Sequence, residues 1–262
     1  MRTIFFTIVL LLLTGAIRLT AAGKESGTSW RSLPLIKDGK VSPDWAQVGW
    51  GSFVVDGDTI RTEPDGRGIG LMVYTREKLG NCQIRVVFKP KTARANSGFY
   101  IRIDDGILNW TNKESPAVTR DANGKITEES MAKLKEVADS EAGPWYAVHH
   151  GYEVQIMEAA GAHGTGSIYS LADAAPLPRK QEGDWRTMVV TLNGTRVQVD
   201  IDGQRVSSFD TKVKDPRTKR NWTEPKLDAK RPESGYIGLQ THDPGDIVSF
   251  KEVSVRTLGG KP

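Results

Sequence analysis

Gly235-Tyr236-Ile237-Gly238-Leu239-Gln240-Thr241-His242 reads as a β-strand whose two faces differ in kind. Successive side chains on a strand point to opposite sides. Ile237 and Leu239 therefore share an apolar face, and Gln240 and His242 share the other. Three more segments divide in the same way. Over 97–102, Phe99 and Ile101 oppose Tyr100 and Arg102; over 153–156, Val154 and Ile156 oppose Glu153 and Gln155; over 167–169, Ile168 opposes Tyr169. If these strands share a sheet, its non-core face displays Arg102, Glu153, Gln155, Tyr169, Gln240 and His242. A solvated face would be rich in Lys, Glu, Thr and Ser. A planar cation, a carboxylate, two amides, a phenol and an imidazole instead suit a cleft that hydrogen-bonds a polyhydroxylated ligand.

The same texture runs outward along the chain. Short segments rich in Val, Ile, Phe, Tyr and Thr, including 51–55, 70–75, 82–88, 186–192, 196–201 and 248–256, are bounded by Gly, Asp, Asn and Pro. This is the pattern of an all-β chain of antiparallel strands joined by turns, and Asp56-Gly57, Asn193-Gly194 and Asp202-Gly203 supply turn residues that tolerate positive φ. One helix is expected, at 127–138, where Thr127 can cap the start and Met131, Leu134 and Ala138 recur at helical spacing. It lies in a long insertion, 104–150, which also holds Trp110, Trp145, Tyr146, His149 and His150. Insertions of this length inside a compact domain are usually binding elements or lids.

Residues 1–22 carry Arg2, an apolar run at 4–13 and the small residues Thr20, Ala21 and Ala22, which reads as a secretory signal peptide. Residues 23–262 are then expected to form a single domain, secreted or periplasmic. Export removes Arg2 and Arg18, lowering the net charge from +4 to +2. A nearly neutral chain does not point to a nucleic-acid partner. The cluster of Lys and Arg at 212–231 is interleaved with acids and prolines and reads as a solvated loop. No later segment has the length of apolar sequence that a membrane span requires. Cys82 is the one cysteine, so the domain depends on an ordinary core rather than on a disulfide.

The segments 96–102, 151–156, 165–169 and 235–242, with the closing 248–253 and the opening Asp38-Gly39-Lys40, Trp45 and 53–57, follow the order and form of the 3-keto-disaccharide hydrolase domain. The resemblance covers about residues 33–258. It implies a concanavalin A-like or laminin-G-like jelly-roll sandwich of two antiparallel sheets, a bacterial exported protein, and action on sugars oxidised at C3. Two positions depart from the family pattern. Trp185 is followed by Arg186 where Asn is usual, and Met157-Glu158 stands where Asp often follows the Gln-Ile pair.

A keto group at C3 acidifies the C2 proton, so a base can remove it and the enolate can expel the glycosidic oxygen from C1. Water then adds back in a hydrolase. The route needs a base, a cation or donor for the enolate oxygen and an acid for the leaving group. The residues on the polar face that meet these needs are His242 or Glu153 as base, Arg102 on the oxyanion, and Tyr169 or the other of His242 and Glu153 as acid. Gln155, Gln240, Tyr100, Trp145 and His150 would contact the sugar. No cofactor is expected. A metal held by Glu153 and His242 with His149 or His150 lacks a compact ligand motif and ranks below a metal-free site. Direct hydrolysis by paired carboxylates is disfavoured because Glu158 falls on the opposite strand parity to Glu153. A non-catalytic carbohydrate-binding module, stacking sugar on Trp110 and Trp145, is the alternative to an enzyme.

Overall fold

The computed structural model describes residues 29–178, 180–215 and 217–258. The segment read as a signal peptide lies outside them. In chain order the strands are β1 (Arg31–Ser32), β2 (Ile36–Lys37), β3 (Lys40–Val41), β4 (Trp45–Gly49), β5 (Ser52–Asp56), β6 (Thr59–Glu63), β7 (Gly70–Leu79), β8 (Cys82–Pro90), β9 (Ser97–Ile103), β10 (Tyr152–Ile156), β11 (Arg186–Asn193), β12 (Arg196–Ile201), β13 (Gln204–Asp210), β14 (Gly235–Thr241) and β15 (Val248–Thr257). Helices α1 (Glu128–Asp139) and α2 (Trp145–His150) lie between β9 and β10.

Apart from the separate β2–β3 pair, the strands build a two-sheet antiparallel jelly-roll sandwich. The larger sheet runs β13-β12-β11-β8-β15-β6-β5, with β1 on the flank of β15; the smaller runs β10-β9-β14-β7-β4. Sequence alternation decides the inward faces. On β8, Cys82, Ile84, Val86 and Phe88 are buried while Gln83, Arg85, Val87 and Lys89 are partly open. Phe88 and Phe250 of the larger sheet and Phe99, Ile101, Val154, Ile156, Ile237 and Leu239 of the smaller fill one apolar core. Each such side chain contributes about 1.5–3 kcal/mol by leaving water. Burial pushes the Cys82 thiol up to about 12, so it is an inert core group.

The insertion builds a second core. Val137, Ala138, Trp145, Ala147 and Val148 pack with Val48, Leu71, Val73, Tyr100, Ile103 and Ile107. Thr127 caps α1 by accepting from Ser130 N. The smaller sheet is thus covered on its outer side as well, and all seven residues of β9 are buried. Among the described residues no helix is long and apolar enough to cross a membrane.

Candidate functional site

Between the insertion and the smaller sheet lies a pocket of about 160 Å³, on the scale of one sugar ring. Strands β9, β10 and β14 supply Tyr100, Glu153, Gln155 and Gln240; Asn96 and His242 sit at strand ends; Trp145 and Val148 of α2 and Thr223 of the 211–234 loop close it. Seven residues anticipated for the site therefore converge: Tyr100, Trp145, Glu153, Gln155, Tyr169, Gln240 and His242.

Register explains the centre. Glu153 pairs with Tyr100 and Gln155 with Gly98 across the β9–β10 ladder. Tyr100 Oη donates to Glu153 Oε2 at 2.8 Å and accepts from Gln240 Nε2 at 3.3 Å. Gly98 makes the room: a Cβ there would stand 2.2 Å from Glu153 Oε1. Burial raises the Glu153 carboxyl to about 7, against the opposing pull of the Tyr100 hydrogen bond and of nearby His242. Tyr100 is pushed well above its ordinary range by burial and by the Glu153 charge, so its hydroxyl remains a donor. Tyr169, raised chiefly by burial, also stays protonated; its hydroxyl lies 3.5 Å from Thr223 Oγ1.

His242 stands beside two carboxylates. Burial disfavours the imidazolium, but Asp246 and Asp243 outweigh it and hold the pKa above the usual value. Nδ1 lies 3.2 Å from Asp246 Oδ2 and 3.6 Å from Asp243 Oδ2. The buried carbonyl oxygens Asn96 Oδ1 and Gln240 Oε1 have no hydrogen-bond partner among the described residues. As unsatisfied acceptors beside the pocket they suit hydroxyl donors of a ligand.

Two anticipated residues do not join the site. Arg102 is turned away: its backbone adopts φ 52°, and the β14 register shifts opposite it, between Tyr236 and Gly238. Gly235 permits the distortion, since a Cβ there would stand 2.6 Å from the Arg102 carbonyl carbon. The side-chain parity consequently slips, so that Ile103, not Arg102, follows Tyr100 onto the insertion side. Arg102 is buried at 1% exposure and donates to Gly194 O in the β11–β12 turn. It therefore cannot serve an oxyanion in the pocket. His150 is occupied elsewhere too, with Nε2 2.8 Å from Glu141 Oε2, Nδ1 3.1 Å from Lys230 O, and its ring stacked on Tyr146 at 4.5 Å. Its neighbour His149 is enclosed between Ala138 O and Lys226 N.

Sequence reasoning missed Asn96, Ile69, Val148 and Thr223. The 211–234 loop, expected to be merely solvated, is fastened to the insertion: Trp222 packs on Trp145 at 5.6 Å, Arg220 pairs with Asp139, and Lys226 Nζ reaches Glu141 Oε1 at 2.6 Å. Interleaved charges on both segments were the available signal, but pairing them required knowing that the segments meet.

Residues 29–256 match the family model described as the 3-keto-alpha-glucoside-1,2-lyase-like domain. Among solved structures, a candidate glycosyl hydrolase from Parabacteroides distasonis ATCC 8503 is similar at 17% identity and TM-score 0.54, covering 88% of this chain and 100% of that one. A second from the same organism gives 17% identity and TM-score 0.55 over 86% of this chain and 93% of that one. These likenesses bear on the fold. No curated protein matches the sequence significantly.

Proposed function

Because the chain belongs to the 3-keto-alpha-glucoside-1,2-lyase-like family, we propose that it is an exported carbohydrate-active enzyme that cleaves 3-keto-glycosides by removing the C2 proton and expelling the group at C1. The observation that carries this reading is Glu153, a desolvated carboxyl raised to about 7 in a pocket on the scale of one sugar ring. A base with that value is half ionised near neutrality, where proton abstraction by a general base is most effective. Such a group favours an enzyme over a binding module, which has no use for a costly buried carboxylate.

The remaining roles follow from the neighbours. Glu153 takes the C2 proton. His242, whose cationic form Asp246 and Asp243 favour, supplies the positive charge for the enolate oxygen that Arg102 was expected to supply. Tyr169, protonated at neutral pH, gives its proton to the leaving oxygen, and Gln155, Gln240 and Asn96 orient hydroxyls. After elimination, water adding across the C1–C2 double bond yields the hydrolysis product; without it the product is the unsaturated sugar.

The test is aglycone release from a 3-keto-glycoside and from its unoxidised parent, by the wild type and by Glu153→Gln. Release from the keto form alone, abolished in the variant, is the expected result. Release from the parent sinks the elimination route, and sugar binding without cleavage of either compound favours a binding module.

A further inference from the structure

The turn that follows β14 places two carboxylates at one nitrogen of His242. Asp246 is the more rigidly held: its Oδ1 accepts from Asn96 N at 3.0 Å, and its Oδ2, 3.2 Å from His242 Nδ1, accepts from Asp243 N at 3.1 Å. Asp243 is shared. Its Oδ1 receives Arg120 Nη2 at 2.5 Å while its Oδ2 stands 3.6 Å from His242 Nδ1. Arg120 belongs to the insertion, far away in sequence, and is tied there by donation to Gly66 O at 2.9 Å and Gly124 O at 3.0 Å. Nδ1 is buried, and among the described residues its contacts with these two carboxylates are ion-pair approaches rather than formed hydrogen bonds. The groups facing the imidazole are thus Asp243 and Asp246 on its own turn and Glu153 from β10, with Arg120 one carboxylate removed.

The geometry points to Asp246 as the positioning residue of His242, keeping a proton on Nδ1 so that Nε2 serves the pocket, and to Arg120 as the group through which the insertion governs that pair. A carboxylate behind an imidazole fixes its tautomer and orientation and favours its cationic form. Arg120 draws on Asp243 and so weakens the second carboxylate's hold on the ring. The insertion is then more than a wall of the pocket; it sets the charge of a residue it does not touch. This assignment rests on the proposed function only for its consequence in turnover.

The experiment is an NMR titration of His242 in the full mature chain, assigned by comparison with His242→Ala, for the wild type, Asp246→Asn and Arg120→Gln. Asp246→Asn should lower the midpoint by about one pH unit and move the neutral ring toward the Nε2–H tautomer in its nitrogen shifts. Arg120→Gln should raise the midpoint. On a 3-keto-glycoside, Asp246→Asn should lower kcat about tenfold or more with little change in KM. An unmoved midpoint and tautomer in folded Asp246→Asn overturns the positioning role, and a lowered or unmoved midpoint in Arg120→Gln overturns the control by the insertion. The expected shifts in a protein that turns over no keto-glycoside support the arrangement while removing the proposed reaction.

Discussion

Arg186 and Glu158 are paired with each other: Arg186 Nε donates to Glu158 Oε1 at 2.5 Å and Nη2 to Oε2 at 3.2 Å. Arg186 also reaches Asp202 Oδ2 at 2.9 Å and Pro178 O at 2.9 Å, and its side chain is only 4% exposed. Neither residue lines the pocket. Glu158 is thereby removed as a second catalytic carboxylate. Arg186→Met should lower unfolding stability by about 1–3 kcal/mol, since it takes the cation from two partly buried carboxylates, of which Asp202 keeps Lys180 Nζ and Thr187 N. Arg186→Met with Glu158→Met should recover part of that loss, with kcat/KM near wild type in both. Denaturant unfolding and steady-state kinetics check this.

Arg102 provides a second separation of structure from chemistry. Its Nε and Nη1 are buried without a hydrogen-bond partner among the described residues, and burial lowers its pKa. Arg102→Gln should change stability while leaving kcat on a keto-glycoside within about threefold, because a residue outside the site has no transition-state contact to lose. A loss of two orders of magnitude in a folded variant would return Arg102 to the mechanism.

Gly98→Ala tests the seating of Glu153. The added methyl would meet Glu153 Oε1 at 2.2 Å and drive the carboxylate from its place. Ala is well tolerated by the strand itself, so the fold should persist while kcat/KM falls about 100-fold, as expected for a misplaced reacting group. Circular dichroism alongside kinetics separates the two effects.

Glu153 also leaves a signature in stability. Its folded pKa of about 7 lies above the ordinary 4.5, so the folded chain binds the extra proton. The native state is not penalised below about pH 4.5, loses stability as pH rises from there to about 7, and bears the full cost above 7. Glu153→Gln, which keeps an acceptor for Tyr100, should be more stable than wild type above pH 7 by roughly 3 kcal/mol, with the difference fading toward pH 4.5. Thermal melts across that range measure it.

Much of the site was legible because strand parity is a local rule. Tyr100, Glu153, Gln155, Gln240 and His242 could be assigned to one face from alternation, and they meet there. The rule failed at Arg102 because a left-handed residue and a register shift reversed the parity within β9, and neither leaves a mark in hydrophobic periodicity. It was silent about Asn96 and Thr223, which reach the pocket from loops placed by long-range packing. His150 failed for a different reason: Glu141 and Lys230, distant in sequence, hold its ring.

The central claim, that Glu153 removes the C2 proton of a 3-keto-glycoside, is tested most directly by following that proton. The wild type and Glu153→Gln would be incubated with a 3-keto-glycoside deuterated at C2, and its cleavage rate compared with that of the protiated compound. The account predicts slower cleavage of the deuterated substrate by the wild type, loss of deuterium from C2 in the product, and no cleavage by the variant. Full retention of deuterium at C2 in the cleaved product, at an unchanged rate, would contradict it.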